Sequence, residues 1–320
     1  MSDNTTFRSI LVPVDGSALA EAAIPCALAI AERAGSKVQF AMVYGDSFPP
    51  APMRLDKLYL DQLAQRLSER LGYLPSCELL EGPVAPTLVK HARKIGTDLI
   101  VLTTHGRGGL QRAWLGSVTD QLVRSSGIPV LVVRPSPNGS WGTFNPSEIM
   151  VPLDGSALAE TAISPAAEMA RLWDAEVSLL QVVFPVSLSS EADLHPPGAY
   201  DKELTEINRQ TASQYLAEIA VRLRNSGVKA SGVAMVASAT LPQTLLEQAS
   251  PGRVGLLAIA THGRGGLRRL MLGSVTDKLV RTAEVPILVV PPVRPVRKAR
   301  QPKVAERVKA LEIGEEFSYA

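Results

Sequence analysis

The feature that most constrains this chain is an internal duplication. Ser9 to Glu21 reads SILVPVDGSALAE, and Glu148 to Glu160 reads EIMVPLDGSALAE. Further on, Thr104 opens THGRGGLQRAWLGSVTDQLVRSSGIPVLVV and Thr261 opens THGRGGLRRLMLGSVTDKLVRTAEVPILVV. Two long matches in the same order mark a tandem repeat, so both halves are expected to fold alike. Asp15 and Asp154 are 139 positions apart, whereas Gly106 and Gly263 are 157 apart, so the second copy holds 18 extra residues between these blocks. Val43 and Val182 keep the smaller spacing and Thr87 and Thr244 take the larger. The insertion is therefore placed after the second strand, around Phe184 to Lys202. At 320 residues each copy can bury its own core. Residues 1–134 are read as the first unit, 135–146 as a turn-rich linker, 147–292 as the second unit and 293–320 as a basic tail.

Each copy alternates strands and helices. In the first, Ile10 to Val14 is a continuous apolar run, as expected for a strand buried on both faces. Gly16-Ser17 supplies a turn and cap before an Ala-rich helix that ends near Ala34 and Gly35. Strands are predicted at Val38 to Tyr44, Cys77 to Leu80, Leu99 to Thr103 and Val130 to Val133. Helices are predicted at Leu55 to Leu71, Val84 to Lys94 and Ser117 to Ser126. Such alternation gives an α/β fold with two tandem doubly wound domains, each a parallel sheet with helices on both faces. Ligands of such sheets sit beyond the carboxyl ends of the strands, where the strand order reverses.

The informative residues fall at those ends. Gly106 lets the chain turn away from the fourth strand, and Gly116 lets main-chain N–H groups approach a bound group. Ser117 and Thr119, with Val118 between them, open a helix whose unpaired N–H donors and dipole favour an anion. Their hydroxyls are further candidates for phosphate oxygens. Gly263, Gly273, Ser274, Val275 and Thr276 repeat the set. A loop glycine followed by an ordinary helix cap is the simpler reading of Gly116-Ser117; duplication favours the phosphate site. Asp15 and Asp154 either accept a ribose hydroxyl or cap the helix that follows. Arg107 and Arg264 reach phosphates or remain solvated. His105 and His262 are read as loop supports, not general bases. His91 and His195 belong to no constellation.

Other chemistries lack their residues. No GxxxxGK[ST] loop, GxSxG elbow, HxGH motif or paired-cysteine metal motif occurs. Cys26 and Cys77 lie in apolar contexts and read as reduced packing residues. No apolar run of ~18 residues is present, and the start MSDNTTFRSILVPVDGS lacks the marks of a signal peptide, so the expected location is the cytoplasm, without membrane contact. The net charge of +2 conceals seven Lys or Arg against one acid between Pro291 and Lys309. That basic stretch has no interleaved aromatics, so a solvated extension is expected and nucleic acid is not.

With these blocks in view, the chain resembles a tandem universal stress protein over residues 7–134 and 147–292. ATP-binding members of that family carry a loop G-x2-G-x9-G-[ST]. Gly106, Gly116 and Ser117 match its second half, as do Gly263, Gly273 and Ser274; Thr103 and Ala260 replace its leading glycine. If that position requires positive φ, β-branched Thr103 is disfavoured, and the second copy is expected to keep ATP better. The resemblance implies a five-stranded sheet of order 3-2-1-4-5. It also implies Pro13, Asp15, Pro152 and Asp154 at the adenosine end, and Val43 and Val182 meeting adenine through the backbone. It implies, too, that Val130 to Val133 pairs with Ile287 to Val290 within the chain, with a homodimer also open. The second copy departs further, with Gly255 for Asp98 and Ala237-Ser238 for Gly82-Pro83. Three functions remain: an ATP-binding stress sensor, with Mg2+ arriving on the phosphates; a nucleotide-independent interaction module; and a slow ATPase resting on His262 or Arg264. The first is preferred, as a protein that is not an enzyme in the ordinary sense.

Overall fold

Ile10, Leu11 and Val12 are fully buried, as are Ile100 and Val101. Strands apolar on both faces need helices above and below them, and the chain supplies both layers. The computed structural model describes residues 7–44, 53–104, 116–134, 144–187, 200–261 and 272–292. The first copy runs β1 (Ser9–Pro13), α1 (Ala18–Glu21), α2 (Ile24–Ala34), β2 (Lys37–Tyr44), α3 (Met53–Leu71), β3 (Ser76–Glu81), α4 (Val84–Lys94), β4 (Leu99–Thr103), α5 (Ser117–Ser125) and β5 (Val130–Val133). The second runs β6 (Glu148–Pro152), α6 (Ala157–Glu160), α7 (Ile163–Trp173), β7 (Glu176–Val183), β8 (Val186–Ser187), β9 (Tyr200–Asp201), α8 (Lys202–Asn225), β10 (Ala230–Val236), α9 (Leu241–Gln248), β11 (Leu256–Ala260), α10 (Ser274–Thr282) and β12 (Ile287–Val290).

Ten of the strands form one sheet, ordered β10-β7-β6-β11-β12-β5-β4-β1-β2-β3, and β8 and β9 pair separately. Each half is therefore a parallel five-stranded unit of order 3-2-1-4-5. The halves join where Ile287, Leu288 and Val289 pair antiparallel with Val132, Leu131 and Val130. One apolar layer takes residues from α2, α3, α7 and α8, and the opposite layer takes them from α4, α5, α9 and α10. Both layers draw on both copies. Arg33 of the first copy also lies 5.1 Å over the Trp173 ring of the second.

Two expectations are corrected. The single Ala-rich helix is two helices, because Pro25 in the first turn of α2 lacks an N–H and its ring opposes the carbonyl four residues back. In the second copy a proline also lies in the first turn of the second helix, one position later, as Pro165 of α7. The insertion is also divided. Val43 pairs with Leu80 and Val182 with Met235, a spacing of 155 between Leu80 and Met235. The step to 157 comes only between β10 and α9, so two of the extra residues lie there. The earlier part includes the pair β8–β9 and a longer helix, α8, whose first turn is capped by Asp201 accepting from Leu204 N at 2.9 Å. Thr205 ties this segment down, its hydroxyl accepting from Val186 N at 3.0 Å and donating to Asp201 O at 2.6 Å.

Candidate functional site

The strand order reverses between β1 and β4, and the register there shows how a cleft opens. β1 runs beside β2 from Ser9↔Lys37 to Pro13↔Ala41. One further bond, Val14 N to Ala41 O at 2.9 Å, ends that contact. β2 continues to Tyr44 along β3 alone, with Val43 opposite Leu80. Beyond Pro13 the chain turns through Gly16, whose φ of +79° suits a residue without Cβ. β2 and β4 therefore flank a gap at the carboxyl edge of the sheet. Pro152, Gly155 (φ +81°) and Val182 repeat the arrangement in the second copy.

Asp15 turns inward on its own loop. Its Oδ1 accepts from Ser17 N at 2.9 Å and from Ser17 Oγ at 2.6 Å, while Ser17 Oγ accepts from Ala20 N at 3.1 Å. Asp154 accepts from Ser156 N at 2.9 Å, and Ser156 Oγ accepts from Ala159 N at 3.1 Å. The helix caps are therefore Ser17 and Ser156, and each aspartate braces the cap residue. Beside them stands a pair that sequence reading missed. Tyr59 OH donates to Glu21 Oε1 at 2.9 Å and Tyr215 OH donates to Glu160 Oε1 at 2.9 Å. Burial pushes both phenols above their ordinary range, the glutamate bond adds to this, and the charges of Asp15 and Asp154 reach them. The repeated Glu of SALAE was the available signal; the tyrosines lie at a different spacing.

The second wall is the start of α5. Thr104 N donates to Val133 O at 3.1 Å, and Thr104 O accepts from Gly116 N at 2.7 Å. Thr104 thus pins both ends of the glycine loop's neck, and Thr261 does the same with Val290 and Gly273. The identical Thr in both THGRGG blocks is the trace of this clamp in the sequence. Gly106, Arg107, Gly263, Arg264, His105 and His262 lie outside the described residues. The first helical bond is Asp120 N to Gly116 O at 2.9 Å, and no side chain caps the turn. The N–H groups of Ser117, Val118 and Thr119 therefore lead the helix without a helical acceptor, as do those of Ser274, Val275 and Thr276 in α10. Ser117 and Ser274 are exposed.

Two expectations change here. The hydroxyls of Thr119 and Thr276 face the strand, donating to Thr103 O at 2.8 Å and Ala260 O at 3.0 Å. Each hydroxyl has one proton, so these two are not phosphate donors. Neither Thr103 nor Ala260 has positive φ; both end a strand, and Asp174 is the one non-glycine with positive φ among the described residues. The backbone reason for ranking the second copy above the first is removed. Gly116 and Gly273 have φ of −57°, so their glycines are not required by backbone conformation. Among the described residues no cluster of three His, Cys, Asp or Glu could hold a metal, and Cys26 and Cys77 are free.

This geometry occurs twice, and the sequence profile of the universal stress protein family matches residues 6–134 and 147–291. The chain belongs to the universal stress protein family. It is 27% identical over 308 residues to a universal stress protein of Mycolicibacterium smegmatis, covering 91% of this chain and all of that one. A universal stress protein of Mycobacterium tuberculosis is 29% identical over 218 residues, 66% of this chain and 67% of that one. Among solved structures, a universal stress protein of Archaeoglobus fulgidus superposes with a TM-score of 0.62 at 16% identity, covering 90% of this chain and 98% of that one. A functionally unknown protein of Pseudomonas aeruginosa PAO1 gives 0.66 at 18%, covering 98% and 100%. These two likenesses concern the fold. No helix among the described residues is long and apolar enough to cross a membrane.

Proposed function

We propose that each copy of this universal stress protein holds an adenine nucleotide, ATP first, and that partners in the cytoplasm read its occupancy as a stress signal. One observation carries this reading. At both reversal points an uncapped helix start, with three leading N–H groups, follows a glycine at the carboxyl edge of the sheet. Such a turn places fixed partial positive charge where a polyanion can reach it. Adenosine would lie beyond the end of β1, against Pro13 and the Val43 backbone, with Asp15 at the ribose. Pro152, Val182 and Asp154 would serve in the second copy. Gly106, Arg107, Gly263 and Arg264 would complete the phosphate cradles. Mg2+ would arrive with the phosphates, since an ion bound chiefly by phosphate and water needs no protein cage. No step of hydrolysis is assigned, because the residues proposed for it, His262 and Arg264, lie outside the described structure.

The test uses a substitution the helix tolerates. Proline is accepted at the first helical position, so Ser117→Pro and Ser274→Pro each remove one leading N–H and leave the helix standing. Loss of a charge-assisted hydrogen bond of about 1.5–3 kcal/mol predicts a roughly 10- to 100-fold weaker ATP site in the altered copy. Calorimetric titration reads both sites. Mass analysis of small molecules released from heat-denatured protein identifies the nucleotide carried from the cell. Clean protein with no measurable affinity for ATP or AMP would leave only the scaffold.

A further inference from the structure

The two outer edges of the ten-stranded sheet are β3 and β10, and they are built differently. Val43 faces Leu80 while Val182 faces Met235, so Glu78 and Glu81 of β3 correspond to Val233 and Val236 of β10. Both glutamates are exposed. Charges of this kind are how an edge strand resists pairing with another chain. β10, ASGVAMV, has no charge in seven residues, and Val233 is 58% exposed.

Its main chain also turns groups away from the sheet. Val177 N donates to Lys229 O at 2.8 Å, and Ala237 N donates to Val183 O at 2.8 Å. Odd-numbered residues thus turn their N–H and C=O groups to β7, and the even-numbered ones turn theirs away. Arg224 Nη1 donates to Ala230 O at 2.8 Å, closing the first outward position. At Gly232, Ala234 and Val236 no hydrogen bond occupies the outward groups among the described residues. Gly232 is exposed, with α8 lying against one face of it, where a Cβ would meet Leu216 Cβ at 2.7 Å, and Ala234 beyond it is 8% exposed.

We propose that this edge is a docking surface for a second copy of the chain, β10 against β10 in antiparallel register. A two-fold axis at Ala234 sets Gly232 against Val236 of the second copy, with Val233 beside its Met235. No like charges meet along the strand, whereas the same pairing of β3 would set Glu78 diagonally across from Glu78 of the second copy. The molecule already joins two half-sheets by antiparallel edge pairing at β5–β12, and the second copy continues that sheet outward. An isologous contact of this form closes as a dimer, because each β10 edge is consumed.

The experiment is sedimentation of the full chain across a dilution series, beside Val233→Glu and the double variant Val233→Glu/Val236→Glu. These restore the first copy's charges on exposed or half-exposed positions, with far-UV circular dichroism as the check on folding. The wild type is expected to dimerise, and each variant to weaken the dimer by about tenfold or more. On the unaltered chain, amide exchange at Gly232, Ala234 and Val236 should slow as concentration rises. A wild type that stays monomeric at every concentration overturns the proposal. So does a dimer that survives the double variant, or one whose exchange at these three amides ignores concentration.

Discussion

Because most structural positions occur twice, a residue that differs between the copies can be tested by exchanging it for its counterpart. Asp98 stitches the chain start to β4, its Oδ2 accepting from Arg8 N at 3.0 Å and Ser9 N at 3.1 Å. The second copy has Gly255 there, and a Cβ added to it would lie 2.5 Å from Pro146 Cα. Gly255→Asp and Gly255→Ala should therefore cost about 1–3 kcal/mol, read as a lower urea midpoint at unchanged slope; an alanine variant as stable as wild type would contradict the contact. The reverse exchange is Asp174, which ends α7 at φ +53° where Gly35 ends α2 at +66°. Asp174→Gly should stabilise by about 0.5–1 kcal/mol, relief of left-handed strain being partly offset by the freedom of glycine in the unfolded chain. Its exposed ion pair with Lys229 contributes little against this. Burial pushes the Cys26 thiol from 9.0 up to about 12 and Cys77 up to about 11. A raised folded value means stability is present in full below pH 9.0 and is lost as pH rises toward those values. At pH 8 native Cys26 should resist iodoacetamide that labels it rapidly in denaturant.

At the scale of elements, the neck of the glycine loop explains why α5 and α10 begin where they do. Thr119 and Thr276 are buried at 4% and 3% exposure, and each hydroxyl holds the last carbonyl of the strand it follows. Thr119→Val keeps the shape and removes the proton, so the buried bond to Thr103 O is lost. The expected loss is about 1–3 kcal/mol, measured by chemical denaturation. Ser117→Val should leave stability nearly unchanged, because Ser117 is exposed and makes no capping bond. The repeated GSVTD block made the importance of these positions legible, but not their orientation. A helix start turns neighbouring side chains to different sides, so Ser117 faces outward and Thr119 faces the strand. The broken Ala-rich helix was legible in principle from Pro25, whereas the division of the insertion needed the strand register.

Across the whole molecule, the two copies share a sheet and both apolar layers, so neither half has a complete boundary of its own. Unfolding should therefore be one transition, with calorimetric and van't Hoff enthalpies in agreement, although two domains ordinarily permit two; separate peaks would show that the β5–β12 joint is weak. The joint is flanked by Asp120, Arg124, Asp277 and Arg281, with Arg124 bonded at 2.8 Å to Asp120 and 3.5 Å from Asp277 across the copies. These side chains are about a quarter exposed. A double-mutant cycle on Arg124 and Asp277 should return a coupling of about 0.2–1 kcal/mol, falling with added salt.

The sequence alone determined the duplication, the alternation of strands and helices, and the positions where loops of special composition interrupt it. Those properties are local or periodic, and apolar runs such as Leu99 to Thr103 record them directly. Tertiary structure decided which groups at the strand ends face outward, how the extra residues are divided, and that β10 is left as an uncharged edge while β3 is guarded. Each of these depends on which chain segment lies alongside, because a hydroxyl, a main-chain N–H or an exposed valine acquires its role only from the neighbour it meets or lacks.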